Sequence, residues 1–292
     1  TNLCGKPWAG VQVLGDAAMS QAVGNQGHLA LINGAIIENA TTAVLVGDMG
    51  DMEKGGGEVR ITGTDTQAGG TIRNCRTGIY FRPYTHYPYP TIMPGYVANN
   101  RSLFQHAQFE FDGTGFFAEE GLNAHVVMDG VNNVLLEGCL FENSAQDVAE
   151  SHLLGHGIKA IASRFRVRSS CATPPTGCAP SQRVPTVFRG LDHGIHALGT
   201  LYTSSASVQD CSFENNICGI YNSGVPGLHV YGNTFELGAR DITMTGDVDV
   251  EMFPYHRGIF FTEAYAFRIQ DNTLGMADPY QTEAEGSGVG YT

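Results

Sequence analysis

The feature that most constrains this sequence is a short phrase, an apolar residue followed by Glu and Asn, that recurs along the chain. Its clearest copies are Ile37-Glu38-Asn39, Phe141-Glu142-Asn143 and Phe213-Glu214-Asn215, with degenerate copies at Ile72-Arg73-Asn74, Thr234-Phe235-Glu236 and Asp271-Asn272-Thr273. The step from Phe213 to Phe235 is 22 residues. Self-similarity at such a period is typical of repeat architectures, in which each repeat is one small supersecondary unit.

A second phrase, Gly-Ile, follows the first one along the chain. Its copies are Gly78-Ile79, Gly157-Ile158, Gly194-Ile195, Gly219-Ile220 and Gly258-Ile259. Short alternating runs such as 134–137 and 228–231 lie between the phrases. Short strands that end at Gly or Asn and recur near every 22 residues predict strands stacked on separate parallel sheets. Inward Ile, Val, Leu and Phe would then form ladders, and Asn and Gly would occupy corners that need a positive φ.

The predicted fold class is therefore all-β, a right-handed parallel β-helix (solenoid) with loop insertions, and residues 1–292 are predicted to form one domain. Helix is disfavoured because the chain has 38 Gly and only three Lys, and Gly is a poor helix former. The alternative is a β-sandwich with hairpins at Asp112-Gly113 and Asp129-Gly130. Cys139 and Cys211 occupy the same slot of the repeat, so both are predicted to point into the core.

The composition excludes several classes of function. The chain carries 29 acidic and 16 basic residues, for a net charge of −13, whereas nucleic-acid binding needs clustered Lys and Arg. No apolar run approaches the roughly 18 residues of a membrane-spanning helix. The first residues lack the basic start and apolar segment of a signal peptide, so we expect a processed product or a fragment of a longer secreted protein.

The cysteines indicate the redox compartment. Cys171 and Cys178 bracket a Pro-Pro-Thr-Gly loop at a spacing that a disulfide can close, and the alternative is two free, half-buried thiols. A disulfide would favour an oxidising, extracellular setting. The other five cysteines show no metal-binding spacing.

Several segments of the chain resemble the β-helical repeat regions of large secreted bacterial surface proteins, which are often exported by the type IX secretion pathway. The segments that carry the resemblance are 8–13, 27–31, 35–40, 188–195 and 219–221. The resemblance implies a right-handed β-helix at the cell surface or secreted. It is a style of repeat that covers most of the chain, and it includes no catalytic signature.

Catalytic signatures are sparse in the sequence. Many β-helical enzymes degrade acidic polysaccharides. The run Gly155-His156-Gly157 followed by Ile158-Lys159 bears a superficial resemblance to short motifs of such hydrolases. The chain has no Asp-Asp pair, although an inverting hydrolase needs a positioned acid and base carboxylate. We therefore favour a non-catalytic module, and a pectate-lyase-like polysaccharide lyase or a glycoside hydrolase is the alternative.

Two groups of residues were considered as candidates for metal binding. Asp247, Asp249 and Glu251 alternate with apolar residues, so in a strand their carboxylates would share one face, where they could bind calcium or simply face solvent. His152 and His156 lie four residues apart, as a helical metal pair would. Gly155 lies between them, so a loop without metal is expected there. No other cofactor is predicted.

Two groups of residues are candidates for contact with a partner. The segment 80–96 is rich in Tyr and Pro, a composition suited to docking, to sugar stacking or to a rigid loop that covers its own flank. Arg164, Arg166 and Arg168 alternate with Phe165 and Val167, which predicts one exposed strand face. The tyrosines expected at or near a contact are Tyr84, Tyr87, Tyr89 and Tyr96.

Together these features predict a structural or adhesive module of an extracellular or cell-surface assembly. The expected partners are further copies of the chain or other domains of the same surface protein, and an acidic glycan is a weaker candidate. Neither nucleic-acid binding nor membrane insertion is expected.

Overall fold

The protein is all-β. The computed structural model describes residues 6–21, 24–64, 67, 69–87, 95–145, 151–171, 178–199, 206–238 and 256–276. It has 51% strand and 4% helix, which confirms the expectation of very little helix. In the described part of the chain, the helical residues form short 3-10 turns at Met52–Lys54, Gly115–Phe117, Ser151–Leu153 and Pro180–Gln182.

Most strands belong to three parallel sheets, which we call A, B and C. Sheet A contains β1 (Val11–Val13), β4 (Thr42–Val46), β7 (Thr77–Phe81), β10 (Ala124–Asp129), β13 (His156–Ile161), β18 (His193–Leu198), β21 (Cys218–Ser223) and β24 (Arg257–Thr262). Sheet B contains β2 (His28–Leu31), β5 (Glu58–Thr62), β8 (Leu103–Gln105), β11 (Val134–Glu137), β14 (Phe165–Arg168), β19 (Ala206–Gln209), β22 (His229–Tyr231) and β25 (Arg268–Gln270). Sheet C contains β3 (Ala35–Glu38), β6 (Gly70–Arg73), β9 (Gln108–Phe111), β12 (Leu140–Asn143), β17 (Val187–Arg189), β20 (Ser212–Glu214), β23 (Thr234–Leu237) and β26 (Thr273–Met276).

The order of the strands explains the sequence repeat. The chain visits sheets A, B and C in turn, so each set of three strands adds one strand to every sheet. Successive sets pair in parallel and in register, for example Phe141 with Phe188 and Phe213 with Phe235. This topology is consistent with a β-helix or solenoid. The sandwich alternative was wrong, because the named strands that pair antiparallel in the described ranges are those of one small hairpin, β15 (Ser170–Cys171) and β16 (Arg183–Val184).

The core is built from ladders of identical or similar side chains. Phe109, Phe141, Phe188, Phe213 and Phe235 each take the same position of a strand in sheet C, and all are buried. Their rings stack nearly parallel with centroid separations of 4.7 to 4.9 Å, which matches the spacing between neighbouring strands. The in-register repeat therefore places each phenylalanine directly on the one before it.

Asparagines form several of the corners at the ends of the sheet C strands. Asn39, Asn74 and Asn215 follow β3, β6 and β20 with φ of 58°, 50° and 55°. Among residues other than Gly, Asn is one of those that tolerate this left-handed conformation best. The prediction that Asn occupies corners with positive φ is confirmed at these three positions.

The cysteines lie where the repeat predicts. Cys139 and Cys211 are free and buried, with exposures of 1% and 2%, so they face the core as predicted. Cys171 and Cys178 form a disulfide. Among the described residues, no helix is long and apolar enough to cross a membrane.

Candidate metal centre

Two consecutive residues of several sheet A strands face the core, and this breaks the usual alternation of side chains. Ile158 and Ile195 are fully buried. A Cβ placed on Gly157 would lie 2.6 Å from the Phe188 ring, and one placed on Gly194 would lie 2.7 Å from the Phe213 ring. At Gly157 and Gly194 the phrase therefore turns both of its residues inward, and the phenylalanine ladder leaves no room for a Cβ at these two glycines.

This double inward step brings the residues before and after each phrase onto the outer face of sheet A. The ladder pairs His156 with His193 and Lys159 with His196. On the other side of β18, His196 pairs with Tyr221. Side chains that are three positions apart in one strand therefore become neighbours, which strict alternation would not allow.

Three histidines of β13 and β18 form a compact cluster on this face. The centroid of the His156 ring lies 5.1 Å from that of His193 and 5.0 Å from that of His196. The rings of His193 and His196 stack with a centroid separation of 4.8 Å. Each residue offers one ring nitrogen such that the three atoms all lie within 4.8 Å of one another. The Tyr221 ring bounds the cluster, 4.9 Å from the His196 ring.

Asp192 orients one of the three imidazoles. Its Oδ2 atom accepts a hydrogen bond of 3.0 Å from Nδ1 of His193, which leaves Nε2 of that ring free to act as a ligand. Both side chains are nearly buried, with exposures of 10% for His193 and 11% for Asp192. A carboxylate on the second nitrogen of a histidine fixes its tautomer and makes it a better metal ligand.

Several polar atoms of the cluster are buried and unsatisfied. Within the described ranges, Nδ1 of His156, Nδ1 of His196 and Oδ1 of Asp192 have no hydrogen-bond partner. A buried polar atom without a partner is costly, and such atoms are rare in proteins. Their concentration around one cluster indicates that a ligand belongs there.

The cluster favours neutral imidazoles. Burial, followed by the neighbouring His193, His196 and Lys159, holds the pKa of His156 well below its usual value. Burial, followed by His193 and Lys159, lowers the pKa of His196 to about 3. Neutral imidazole is the form that binds metals. The arrangement can therefore bind a transition-metal ion near neutral pH without first losing protons from these two residues.

The cluster was not predicted from the sequence. A loop without metal was expected at His152 and His156, but His156 is the first residue of the strand β13. His152 lies in the 3-10 turn Ser151–Leu153 and is not one of the three clustered histidines. The missed signal was the second phrase itself. Aligning its copies places His156 over His193 and Lys159 over His196.

The predicted contact tyrosines lie in different environments. Tyr84 is only 5% exposed, and its hydroxyl donates a hydrogen bond of 2.8 Å to the carbonyl of Met19, so its ring offers no surface to a partner. Tyr87 and Tyr96 are 41% and 49% exposed. Tyr89 lies outside the described residues.

The three predicted contact arginines also lie in different environments. Phe165 and Val167 are buried, as the alternation predicts. Arg168 donates from Nε to Glu137 at 2.6 Å, so its charge is largely neutralised within the chain. Arg166 is half-buried and its Nε has no partner among the described residues, and Arg164 is half-buried just before the strand.

The predicted calcium face, Asp247, Asp249 and Glu251, lies outside the described residues. Comparison of the chain with family models, curated proteins and solved structures finds no match.

Proposed function

We propose that this chain is a right-handed parallel β-helix that binds a divalent transition-metal ion through His156, His193 and His196. The observation that carries the proposal is the convergence of three ring nitrogens within 4.8 Å of one another on a face with three buried, unsatisfied polar atoms. Imidazole ligands suit zinc, copper, iron and nickel. Zinc fits best, because three protein ligands and one open position is its usual arrangement in non-structural sites.

The scaffold supports such a site. His156 and His193 form the first pair of two neighbouring parallel strands, whose register is held by the pairs that follow, beginning with Ile158 and Ile195. Their orientation depends on buried glycine and phenylalanine residues and not on a loop. Ligands on rigid strands lose little freedom on binding, so the scaffold favours a preorganised centre.

We expect the purified protein to bind one Zn²⁺ or Co²⁺ per chain, measured by calorimetry and by the visible spectrum of the cobalt form. Replacing His196 by Ala removes one ligand from the outer face without opening the core. It should weaken binding by more than about 100-fold, because even the loss of a partner behind a ligand costs about 10- to 100-fold. Asp192→Asn alters the hydrogen-bond partner behind His193, so it should weaken metal binding by about 10- to 100-fold.

His229→Ala is the matched control, since His229 is an exposed histidine on β22 and its removal should leave metal binding unchanged. Absence of binding to the wild-type protein would refute the proposal. Equal binding by wild type and His196→Ala would place the metal elsewhere.

The association role expected from the sequence is a second proposal, and one observation favours it. Ile269 and Leu274 take the same ladder positions as the fully buried Val230 and Phe235, yet they are 43% and 48% exposed. An apolar rung exposed at the end of stacked sheets is a surface for another chain. We propose that a second copy of this protein covers it, in the secreted or cell-surface setting that the disulfide favours.

We expect wild-type protein to self-associate in sedimentation-velocity experiments, and Ile269→Asp to shift it toward the monomer. Ile36→Asp is the control, because Ile36 is 52% exposed on β3 beside the buried Ile37 and does not take a core position. A wild-type monomer at all concentrations would argue against self-association, and an equal effect of both variants would argue against this end of the sheets as the contact.

A further inference from the structure

The outer face of sheet A carries a lysine beside the histidine cluster. Lys159 is on β13, and its partner across the ladder is His196. It lies on the same outer face as His156, three positions further along the same strand, and it is half-buried. Among the described residues no acidic side chain forms an ion pair with Lys159.

The charges of an occupied site would not balance. Three neutral imidazoles add no charge, a divalent ion adds two positive charges, Lys159 adds one, and Asp192 removes one. The site would therefore carry an excess of positive charge among half-buried and buried side chains. Charge that is withdrawn from water is costly unless an opposite charge compensates it.

The coordination would also be incomplete. The three histidines supply three ligands, and the carboxylate of Asp192 is hydrogen-bonded to His193. A tetrahedral ion then keeps one position for a ligand from solution.

We infer that the metal at this centre takes a small oxyanion, a carboxylate or a phosphate group, in its open position, with Lys159 as the second contact to that anion. The inference rests on the proposed metal binding. An oxyanion supplies the missing ligand and the missing negative charge at once. A lysine ammonium next to the metal would donate a charge-assisted hydrogen bond to an oxygen that the metal does not bind.

The test uses the cobalt-loaded protein, titrated separately with inorganic phosphate and with acetate while the visible spectrum is recorded. Either anion should change the spectrum in a saturable way, and an uncharged additive such as glycerol should not. Comparison of the phosphate and acetate affinities identifies the preferred class of anion.

Lys159→Met keeps most of the apolar stem of the side chain and removes its charge. It should weaken anion binding about tenfold or more, the size expected for one hydrogen bond to a charged group.

Metal affinity separates the two proposals. Lys159→Met should bind cobalt at least as tightly as wild type, because a repelling charge is gone. Lys54→Met is the control, since Lys54 is an exposed lysine in the 3-10 turn Met52–Lys54, and it should behave as wild type in both titrations. Cobalt binding without any response to anions would overturn the inference and leave the metal site standing. Equal anion affinity in wild type and Lys159→Met would overturn the role of Lys159, and failure to bind cobalt would overturn both proposals.

Discussion

Replacing Phe188 by Ala is expected to lower the free energy of unfolding by about 3 to 5 kcal/mol, the range for removing a fully buried aromatic side chain. Phe188 is 0% exposed, and its ring lies 4.8 Å from the ring of Phe141 and 4.9 Å from the ring of Phe213. Both neighbours are fixed by parallel strands in register. The cavity therefore cannot close by a local shift of one ring, and the cost should fall toward the upper end of the range.

The measurement is the midpoint of denaturant unfolding at unchanged slope, since an unchanged slope indicates that stability alone has changed. If unfolding proves irreversible, the unfolding rate serves in its place. Phe116→Ala is the matched control, because Phe116 is 39% exposed in the turn Gly115–Phe117, and it should cost less than about 1 kcal/mol. Similar losses in the two variants would mean that the phenylalanine ladder does not determine the stability of the core.

The phenylalanine ladder also shows why stacked parallel sheets could be predicted from sequence. Phe141, Phe213 and Phe235 each directly precede a Glu in the recurring phrase. In-register stacking is the simplest way to bury such equivalent side chains repeatedly. The corner asparagines and the buried Cys139 and Cys211 follow from the same register. What the sequence does not supply is the number of strands in each repeat, because stretches of unequal length separate the copies of the recurring phrases.

The histidine cluster could not be predicted in the same way, because it depends on a departure from strand alternation. In a regular strand, residues three positions apart, such as His193 and His196, point to opposite faces. Only the structure shows that Gly194 and Ile195 both face inward, which returns the two histidines to one face. The partner His156 is 37 residues from His193 in the sequence, and that separation contains the inserted hairpin β15–β16.

Acidification should destabilise the protein through His125, which occupies the slot that glycine takes in the neighbouring strands. The ladder places it between Gly78 and Gly157, and its ring packs at 6.1 Å from Phe109 and 6.2 Å from Phe141. Its Nε2 donates a hydrogen bond of 3.0 Å to the carbonyl of Glu142. Burial lowers the pKa of His125 to about 3, so the folded protein keeps this imidazole neutral at pH values where the unfolded chain protonates it.

The direction of the effect follows from proton uptake. Below the unfolded pKa of about 6.5 the unfolded state binds one more proton at this residue than the folded state. Stability therefore falls as the pH falls, by about 3 kcal/mol between pH 6.5 and pH 4.

His125→Gln provides the comparison, since a glutamine amide can donate to the same carbonyl but does not titrate. Its free energy of unfolding should decline less than that of wild type over this interval, by about the same 3 kcal/mol. The carboxylates and the clustered histidines titrate in both proteins, so the difference between the two pH profiles isolates His125. The exposed His229, replaced by Gln, should reproduce the wild-type profile, and parallel profiles for wild type and His125→Gln would show that the buried imidazole is not the source of the acid sensitivity.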